Sequence, residues 1–384
     1  MSMPMLMPQA AAEAGSRYAP LDGYHQASTV LFAGGRRTLL ADGPALDLAA
    51  ADVPALAGAV ASFQHATDAL VAGAVTFDGR ASALRACSGP RWGARLPVNR
   101  CMRCGHQWSV EHDTAPEDYR KAVEVARDRI RAGDLRKVVL ARSLRMTSAR
   151  PMSSLEVLTH LGGRGRYVFA VPLPGERLLI GASPELLVQR RGLRVNANPL
   201  AGSVPRSPDP IEDRALAAQL LESSKDLHEH RVVVEAVAAA LRPYCRDLHV
   251  PPPEVVATST VWHLSTPISG ELRDPAPSAL ELAGALHPTP AVCGSPTDTA
   301  AALITELEEA ERGFYAGLVG WQNSTGDGTW ALTLRCAELL DRRQLRLWAG
   351  AGIVADSDPD TELAETSAKF ATLLQALGYR GSAQ

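Results

Sequence analysis

The chain has 384 residues, 46% of them hydrophobic, and its 39 lysines and arginines against 42 aspartates and glutamates give a net charge of −3. This length provides enough apolar residues for the core of one large domain or of two ordinary ones. The absence of a basic excess, the aromatic content of 5% and the absence of an apolar run of about 18–20 residues argue against a nucleic-acid-binding or membrane-spanning protein.

The N-terminal region is only weakly periodic. Residues 1–15, MSMPMLMPQAAAEAG, lack the basic and apolar regions of a signal peptide and predict a disordered leader. Residues 16–115 contain strand-like pieces between turn signals. The segment CMRCGH offers Cys101, Cys104 and His106 as zinc ligands, but a closed structural zinc site needs four. We therefore predict a surface loop there, and the scattered cysteines elsewhere favour the reducing cytoplasm.

The middle of the chain has clearer periodicity. In PEDYRKAVEVARDRIRAGD, Val123, Ala126 and Ile130 recur at helical spacing, which predicts an amphipathic helix that ends at AGD. The segment KVVLARSLRM, which opens with Lys137, predicts a strand, and two or three further strands with tight turns follow it. One long helix is predicted over residues 213–241.

The C-terminal third returns to strands and closes with a helix. GLVGWQNSTGDGTWALTLRCAELL and the residues after it predict a hairpin meander with an Asp-Gly turn. TELAETSAKF, residues 361–370, predicts a helix whose apolar stripe includes Leu363 and Phe370. Segregated helices and strands without regular βαβ alternation predict an α+β fold with antiparallel pairing. No sequence repeat and no G-x-G-x-x-G motif is present.

Acidic residues on two predicted helices form the first candidate site. Glu362, Glu365 and Lys369 fall on one face of the C-terminal helix, beside its apolar stripe. Glu229 lies on the buried side of the long helix, where a carboxylate is costly unless it is paired or bound to a metal. Together the three glutamates would make an all-oxygen site that suits Mg²⁺ better than Zn²⁺. The alternative is three separate solvated glutamates.

The sequence His228-Glu229-His230 suggests a zinc-dependent hydrolase, but helical geometry argues against it. Residues two apart on a helix point about 200° apart. The two histidines therefore cannot join Glu229 in one coordination shell, and we predict no zinc site there.

Two further ionisable residues are candidates for acid–base chemistry. If Lys137 points inward, desolvation lowers its pKa and makes it a base at neutral pH; the alternative is a surface lysine at a strand edge. Glu185 follows Ser183-Pro184 where a turn enters a strand, and burial there raises its pKa, as a general acid requires. The alternative is an ordinary turn glutamate.

These segments occur together and in order in one known family. LRKVVLAR, GASPELL, NPLAGS, SSKDLHEH, VWHLSTP, HPTPAVCG, YAGLVGW, TLRCA, WAGAGIV and TELAETSAK resemble the signature blocks of the chorismate-utilising enzymes over residues 115–378. The resemblance implies a single large α+β domain, residues 16–384, in which a divergent part (16–115) precedes the catalytic core (116–384). Two antiparallel sheets would be sandwiched, with helices outside.

The resemblance also implies roles for individual residues. It makes Lys137 and Glu185 catalytic, and Glu229, Glu362 and Glu365 ligands of Mg²⁺. The implied contacts to chorismate, a dianion, come from Arg335, Lys369, Tyr315, His263, Gly202, Ser203, Ala291, Gly350 and Gly352. Independently of the family, a dianion that approaches three carboxylates needs a cation between them.

Four positions discriminate among members of the family. By this resemblance, Lys137 stands at the position where the water-using members have a lysine and the ammonia-using members do not. This argues against anthranilate synthase, which uses ammonia. Ala201 replaces the lysine of aminodeoxychorismate synthases. Ala291 favours isochorismate synthase over salicylate synthase, whereas Tyr315 favours the latter. Because SSKDLHEH and VWHLSTP also resemble the blocks of isochorismate synthases, we give Ala291 more weight than Tyr315. We expect isochorismate synthase, with salicylate synthase as the alternative.

The expected reaction needs a base and an acid. Lys137 would take a proton from water, which attacks the ring carbon beside the carboxylate-bearing carbon, and Glu185 would protonate the departing hydroxyl. A degenerate, chorismate-binding relative is a further alternative, but it would be expected to lose one of these two residues. We expect a cytoplasmic monomer, and the sequence leaves the downstream pathway open among siderophores, menaquinone and other natural products.

Overall fold

A computed structural model describes residues 21–35, 37–96, 106–163, 166–379 and 381 of the chain. The predicted leader, Cys101 and Cys104 lie outside these residues. Within the described part, no helix combines the length and the hydrophobicity that are needed to cross a bilayer.

Twenty-two strands are present in the described residues. They are β1 (Thr29–Gly34), β2 (Arg37–Asp42), β3 (Ala45–Leu46), β4 (Leu70–Val75), β5 (Ser82–Cys87), β6 (Arg91–Ala94), β7 (Trp108–His112), β8 (Lys137–Ser148), β9 (Tyr167–Pro172), β10 (Leu178–Ser183), β11 (Leu186–Arg191), β12 (Arg194–Asn198), β13 (Leu200–Pro205), β14 (Cys245–His249), β15 (Glu254–Ala257), β16 (Val261–Ser265), β17 (Ile268–Leu272), β18 (Gly294–Ser295), β19 (Leu318–Gln322), β20 (Gly328–Leu332), β21 (Cys336–Leu339) and β22 (Gln344–Ile353).

Eight α-helices accompany the strands in the same part of the chain. They are α1 (Val53–Thr67), α2 (Pro116–Arg131), α3 (Ser154–Leu161), α4 (Pro210–Glu222), α5 (Ser224–Leu241), α6 (Ala279–Leu286), α7 (Thr297–Leu307) and α8 (Pro359–Ala376). A single 3₁₀ turn, Arg242–Tyr244, follows α5.

The strands form two large antiparallel sheets and a small one. The first large sheet has the order β18-β8-β22-β21-β10-β9-β1-β2-β6, with β7 also paired to β8, and the second has the order β14-β17-β12-β11-β20-β19-β4-β5-β3. The α+β fold with two antiparallel sheets is thus confirmed, and the small sheet β13-β16-β15 is an addition that we had not predicted. Strands before residue 115 belong to both large sheets, while the domain boundaries stay a prediction.

The alternation of side chains along the strands explains how the layers pack. In β1, Val30 and Phe32 belong to the largest apolar cluster, which joins residues of both large sheets with α1, α5 and α6. Their neighbours Leu31 and Ala33 face the other way and pack with residues of α3 and α8. Since successive strand residues point to opposite faces, the ten-stranded sheet is covered on both sides.

The predicted helix after residue 115 is confirmed as α2, and its periodic residues Val123, Ala126 and Ile130 are all buried. The predicted strand that opens with Lys137 is β8. The C-terminal helix is α8, and Leu363 and Phe370 of its apolar stripe are buried as predicted. A third apolar cluster joins α2, α7, β8 and α8, so the strand that carries Lys137 and the helix that carries Glu362, Glu365 and Lys369 are packed together.

The prediction of one long helix over residues 213–241 is wrong. The chain breaks at Ser223, whose backbone is extended, and its hydroxyl caps α5 by accepting a hydrogen bond from the amide of Asp226. Serine is a preferred N-cap residue because its side chain satisfies an otherwise unpaired helix amide. The break lets α5 change direction before it reaches Glu229.

The predicted hairpin is formed by β19 and β20, but the Asp-Gly pair is not the centre of its turn. The loop spans residues 323–327, and the amide of Asn323 donates to the carbonyl of Asp327 over 2.8 Å. Gly326, at φ +84°, takes the left-handed conformation that glycine tolerates best. Gly328 already belongs to β20.

Candidate active site

Two short connections carry the chain from one large sheet to the other, and each presents a candidate residue. Glu185 lies between β10 of the first sheet and β11 of the second, and Arg335 lies between β20 and β21, which crosses in the opposite direction. The connections are joined by backbone hydrogen bonds, in which Ala182 donates to the carbonyl of Arg335 and Leu332 donates to that of Glu185. The backbone of Arg335 is left-handed, with φ +49°, a conformation that non-glycine residues adopt at a cost.

A cavity opens at these connections. Twelve of the fourteen predicted site residues line it, namely Glu185, Gly202, Ser203, Glu229, His263, Ala291, Tyr315, Arg335, Gly350, Gly352, Glu365 and Lys369. The other two, Lys137 and Glu362, are not among the lining residues. The structure therefore brings the predicted residues together, and their roles stay predictions.

Lys137 is buried at the start of β8. Its side chain is 1% exposed, and its Nζ lies 2.8 Å from Oε1 of Glu229, so it is not a surface lysine. Burial alone would raise the pKa of Glu229, but Lys137, with help from Lys369 and Lys225, lowers that pKa below its ordinary value. Glu229 is therefore an ionised partner for the amine.

Glu185 is the cavity's candidate acid. It is 4% exposed, and one carboxyl oxygen accepts a hydrogen bond from the amide of Leu200 over 3.3 Å. Burial raises the pKa of Glu185 to about 8, although this amide and the distant positive charge of Lys137 act in the other direction. At neutral pH the group is mostly a neutral carboxylic acid, which can donate a proton.

Arg335, His263 and Tyr315 form the cationic and neutral part of the wall. Nη2 of Arg335 donates to Nε2 of His263 over 3.4 Å. Burial, together with Arg335 and Lys369, holds the pKa of His263 well below its ordinary value, so the imidazole is neutral. The ring of Tyr315 stacks on Trp348 at a centroid distance of 6.1 Å, and burial raises its pKa. Arg335 remains free of any carboxylate partner among the ion pairs of the described chain.

Three glutamates and three lysines meet at one end of the cavity. Besides the pair formed by Lys137, Lys225 lies 3.1 Å from Glu362 and Lys369 lies 2.5 Å from Glu365. Glu362 is fully buried, and its Oε2 has no hydrogen-bond partner in the described part of the molecule. Burial, followed by the charge of Glu365, raises the pKa of Glu362 to about 7, although Lys225 and the hydroxyl of Ser357 act in the other direction. The alternative of three solvated glutamates is therefore wrong.

The residue types at this end suit a hard divalent cation, while their present arrangement is one of ion pairs. Within the described residues, no group of three or more His, Cys, Asp or Glu side chains is arranged to hold a metal ion. The observation that fits a cation is the unpartnered, buried Oε2 of Glu362, because such an oxygen is costly without a proton, a donor or a metal. Carboxylate oxygens are the ligands that Mg²⁺ prefers.

Glycines form the part of the wall nearest the ion pairs. A Cβ atom on Gly352 would overlap Oε1 of Glu229 and lie 2.9 Å from Cε of Lys137, and one on Gly350 would lie 2.9 Å from the hydroxyl of Tyr315. Gly350 also accepts a hydrogen bond from Nζ of Lys369 through its carbonyl, over 2.8 Å. Because neighbouring side chains lie so close to the backbone at these two positions, only glycine fits there.

Some residues near the site were not predicted. Lys225 stands four residues before Glu229, one helical turn away, and this spacing could have signalled it. The two histidines that flank Glu229 behave as predicted, since His228 is exposed and His230 is buried with its Nε2 2.8 Å from the hydroxyl of Thr266. His106 contacts Ser148 over 2.7 Å, and Cys101 and Cys104, considered with it as zinc ligands and predicted to lie in a surface loop, are outside the described residues.

Comparison with known proteins gives the family. The family model for "Chorismate binding enzyme" matches residues 99–378. Isochorismate synthase DhbC of Bacillus subtilis is 52% identical over 322 residues, which cover 80% of this chain and 81% of that protein. The vibriobactin-specific isochorismate synthase of Vibrio cholerae is 46% identical over 68% of this chain and 67% of its own length.

Solved structures agree with this assignment. DhbC from Bacillus anthracis matches with a TM-score of 0.89 and 44% identity, over 94% of this chain and 99% of that chain. MenF, the menaquinone-specific isochorismate synthase of Escherichia coli, has a TM-score of 0.78 at 24% identity, over 95% of this chain and 92% of its own, and shows the common fold. The predicted resemblance is confirmed, and the chain belongs to the chorismate binding enzyme family.

Proposed function

We propose that this protein is an isochorismate synthase, which converts chorismate to isochorismate. The observation that carries the proposal is a neutral buried carboxylic acid in the cavity wall and a buried amine paired with Glu229 of the same wall, in a chain 52% identical to an isochorismate synthase. Two relatives from different bacteria are isochorismate synthases. Salicylate synthase remains the alternative product assignment, and Tyr315 is the residue that favoured it.

The cavity suits a small dianion. Arg335 faces it without a carboxylate partner, and Lys369 lines it beside Gly350. A guanidinium can bind a carboxylate with two parallel hydrogen bonds, which fixes orientation as well as charge. We assign Arg335 and Tyr315 to the enolpyruvyl carboxylate, and Lys369 to the ring carboxylate. His263 is neutral and accepts from Arg335, so it holds the guanidinium without neutralising it.

Lys137 and Glu185 divide the proton transfers between them. Water adds to the ring carbon next to the carboxylate-bearing carbon as Lys137 takes one of its protons. The ring double bonds shift, the C–O bond of the original hydroxyl breaks, and Glu185 supplies the proton with which that hydroxyl leaves as water. One water enters and one leaves, so the net reaction is an isomerisation.

The resting partner of Lys137 constrains this mechanism. An amine acts as a base only in its neutral form, and Glu229, 2.8 Å from Nζ, is the group whose contacts bear most directly on Lys137. After turnover Lys137 holds an extra proton and Glu185 lacks one, so a proton must return to Glu185 before the next cycle.

We further propose that Glu229, Glu362 and Glu365 hold Mg²⁺ when substrate is processed. The unpartnered oxygen of Glu362 and the hard-oxygen donor set support this assignment. Bound there, the cation would neutralise the carboxylates that otherwise repel the ring carboxylate and would polarise that group. The cytoplasmic location and the monomeric state stay predictions.

The experiment that tests the function is a product analysis. Purified protein is incubated with chorismate and MgCl₂, and the products are separated by chromatography, with pyruvate measured enzymatically. We expect isochorismate and no stoichiometric pyruvate. Salicylate with an equal amount of pyruvate would establish the alternative, and unchanged chorismate would overturn the proposal.

A further inference from the structure

A buried ion pair outside the cavity connects three parts of its wall. Nε and Nη2 of Arg312 donate to the carboxylate of Glu308 over 2.8 and 2.5 Å, and the two side chains are 3% and 8% exposed. Neither residue lines the cavity. The pair is therefore too deep to act on substrate directly, yet an ion pair removed from water is costly unless its remaining hydrogen bonds are satisfied.

The remaining hydrogen bonds of this pair go to backbone groups that belong to the cavity wall. Nη1 of Arg312 donates to the carbonyl of Val292, and Nη2 donates to that of Val139, each over 2.7 Å. Oε1 of Glu308 accepts from the amide of Ala141 over 2.8 Å. Val139 and Val292 both line the cavity, so one guanidinium fixes two of its sides.

The contacts with Val139 and Ala141 repair a gap in the ten-stranded sheet. On this edge of β8, the short strand β18 pairs with residues 137–138, and β7 pairs with residues 144–148. Val139 and Ala141 lie between these partners. Unpaired backbone groups in a buried strand are costly, and here the two side chains take the place of a neighbouring strand. Lys137 is two residues away on the same strand.

The same pair also holds the Tyr315 side of the cavity. The guanidinium of Arg312 lies over the rings of Phe77 and Tyr315, at 4.6 and 5.9 Å from their centroids. The carbonyl of Arg312 accepts from the amide of Tyr315 over 2.9 Å. Val139 (two residues from Lys137), Val292 and Tyr315 are thus all in contact with the guanidinium of Arg312.

We propose that the Glu308–Arg312 pair is a positioning pair, which sets the distance between Lys137 and the wall formed by Ala291, Val292 and Tyr315. This inference rests on the proposed isochorismate synthase activity. Turnover depends on the separation of the reacting atoms far more steeply than binding does. Loss of the pair is therefore expected to lower kcat more than it raises KM, because Arg335 and Lys369, which neither residue of the pair contacts, still bind the carboxylates even if Tyr315 shifts.

The test compares Arg312→Lys and Glu308→Gln with the control Asp113→Asn. Asp113 follows β7. It pairs with Arg145, 3.1 Å away at the far end of β8 from Lys137, and with Arg346 of β22, 2.8 Å away. For each variant, kcat and KM for chorismate and the melting temperature are measured. We expect kcat to fall at least tenfold in both variants with KM within threefold of wild type, whereas the control keeps kcat within twofold.

The double variant and a measurement without substrate complete the design. Because the two side chains act as one unit, the double variant is expected to lose no more kcat than the worse single variant. If Arg312→Lys fails to fold, the isosteric Glu308→Gln decides. Hydrogen–deuterium exchange should rise in residues 138–141 and 289–293 of Glu308→Gln, but not in the same residues of the control, whose contacts on β8 begin at Ser143.

Two results would overturn the positioning role: a kcat within twofold of wild type in Glu308→Gln, or an equal loss in the control at an equal drop in melting temperature. If wild-type protein leaves chorismate unchanged, the proposed function fails, and the exchange comparison alone then decides whether the pair holds the wall.

Discussion

Nζ of Lys137 lies 2.8 Å from Oε1 of Glu229, and the two side chains are 1% and 12% exposed. The lysine comes from the first position of β8 and the glutamate from α5, so the pair joins the ten-stranded sheet to a helix that contacts the small sheet through β13 and β16. It also joins the proposed base to a proposed metal ligand. The protonation of one residue is therefore tied to the charge and contacts of the other.

Replacement of Lys137 by methionine should affect stability and turnover separately. The variant removes the proposed base and leaves Glu229 without its cation, so we expect turnover to fall by about 10²–10⁴-fold and the free energy of unfolding to fall by about 3–5 kcal/mol. The double variant Lys137→Met/Glu229→Gln removes the unpaired charge as well. It should recover much of the stability and none of the turnover, as measured by urea unfolding and by isochorismate formation. Turnover within a few-fold of wild type in either variant would refute the base assignment.

Turnover should decline as pH rises through the pKa of Glu185. Because burial raises that pKa to about 8, the acid is protonated at neutral pH and loses its proton above pH 8. We expect kcat to fall about tenfold per pH unit above that value, and Glu185→Gln to be almost inactive at every pH. A kcat that stays constant up to pH 9.5 would exclude Glu185 as the acid.

The same residue predicts a pH-dependent difference in stability. Below pH 4.5, the ordinary pKa of a glutamate, Glu185 is neutral in the folded and unfolded states. Between pH 4.5 and about 8 only the unfolded state loses the proton, so folding is progressively disfavoured, by at most about 5 kcal/mol. Glu185→Gln lacks this penalty. Its stability relative to wild type, measured by urea unfolding, should increase from pH 5 to pH 8 and then level off; an increase toward low pH would contradict the assignment.

An element of the fold could be predicted from the sequence when its own residues determine its structure. The helix α2 and the stripe of α8 were predictable because apolar residues recur at 3.6-residue spacing. The break at Ser223 was missed because the residues on both sides are good helix formers, and one cap decides the outcome. The small sheet β13-β16-β15 was missed because its strands pair over long sequence separations that a local pattern does not record.

Part of the candidate site could also be predicted from the sequence. The resemblance identified side chains that face one cavity, because family motifs mark residues that contact the substrate. It assigned no role to Lys225, although this residue stands in the block SSKDLHEH, or to the Glu308–Arg312 pair, since these residues act on other side chains and on backbone groups. The ion pairing of each glutamate was also not predictable, because it depends on the relative placement of α5, α8 and β8.

Gly352→Ala should separate Lys137 from Glu229 without removing either group. A Cβ at this position would overlap Oε1 of Glu229, and overpacking of this kind costs about 1–3 kcal/mol. We expect turnover to fall at least tenfold while the protein still folds. The matched control is Gly58→Ala in α1, where a Cβ meets open space and should raise stability by about 0.5–1 kcal/mol. Equal activity of the two variants would show that the contact with Glu229 is unimportant.

Glu362→Gln should weaken the proposed Mg²⁺ site. Glu362 is fully buried, and its Oε2 has no partner among the described residues, so replacing the carboxylate by an amide removes a charge and an oxygen that a divalent cation could use. We expect the Mg²⁺ concentration for half-maximal turnover to rise at least tenfold, and the heat of Mg²⁺ binding in calorimetry to decrease in parallel. Asp360→Asn is the control, because Asp360 lies on the same helix but pairs with Arg120 at the surface, where its side chain is 78% exposed. A metal titration of Glu362→Gln that matches the control would remove Glu362 from the site, and activity that persists in excess EDTA would remove the metal from the mechanism.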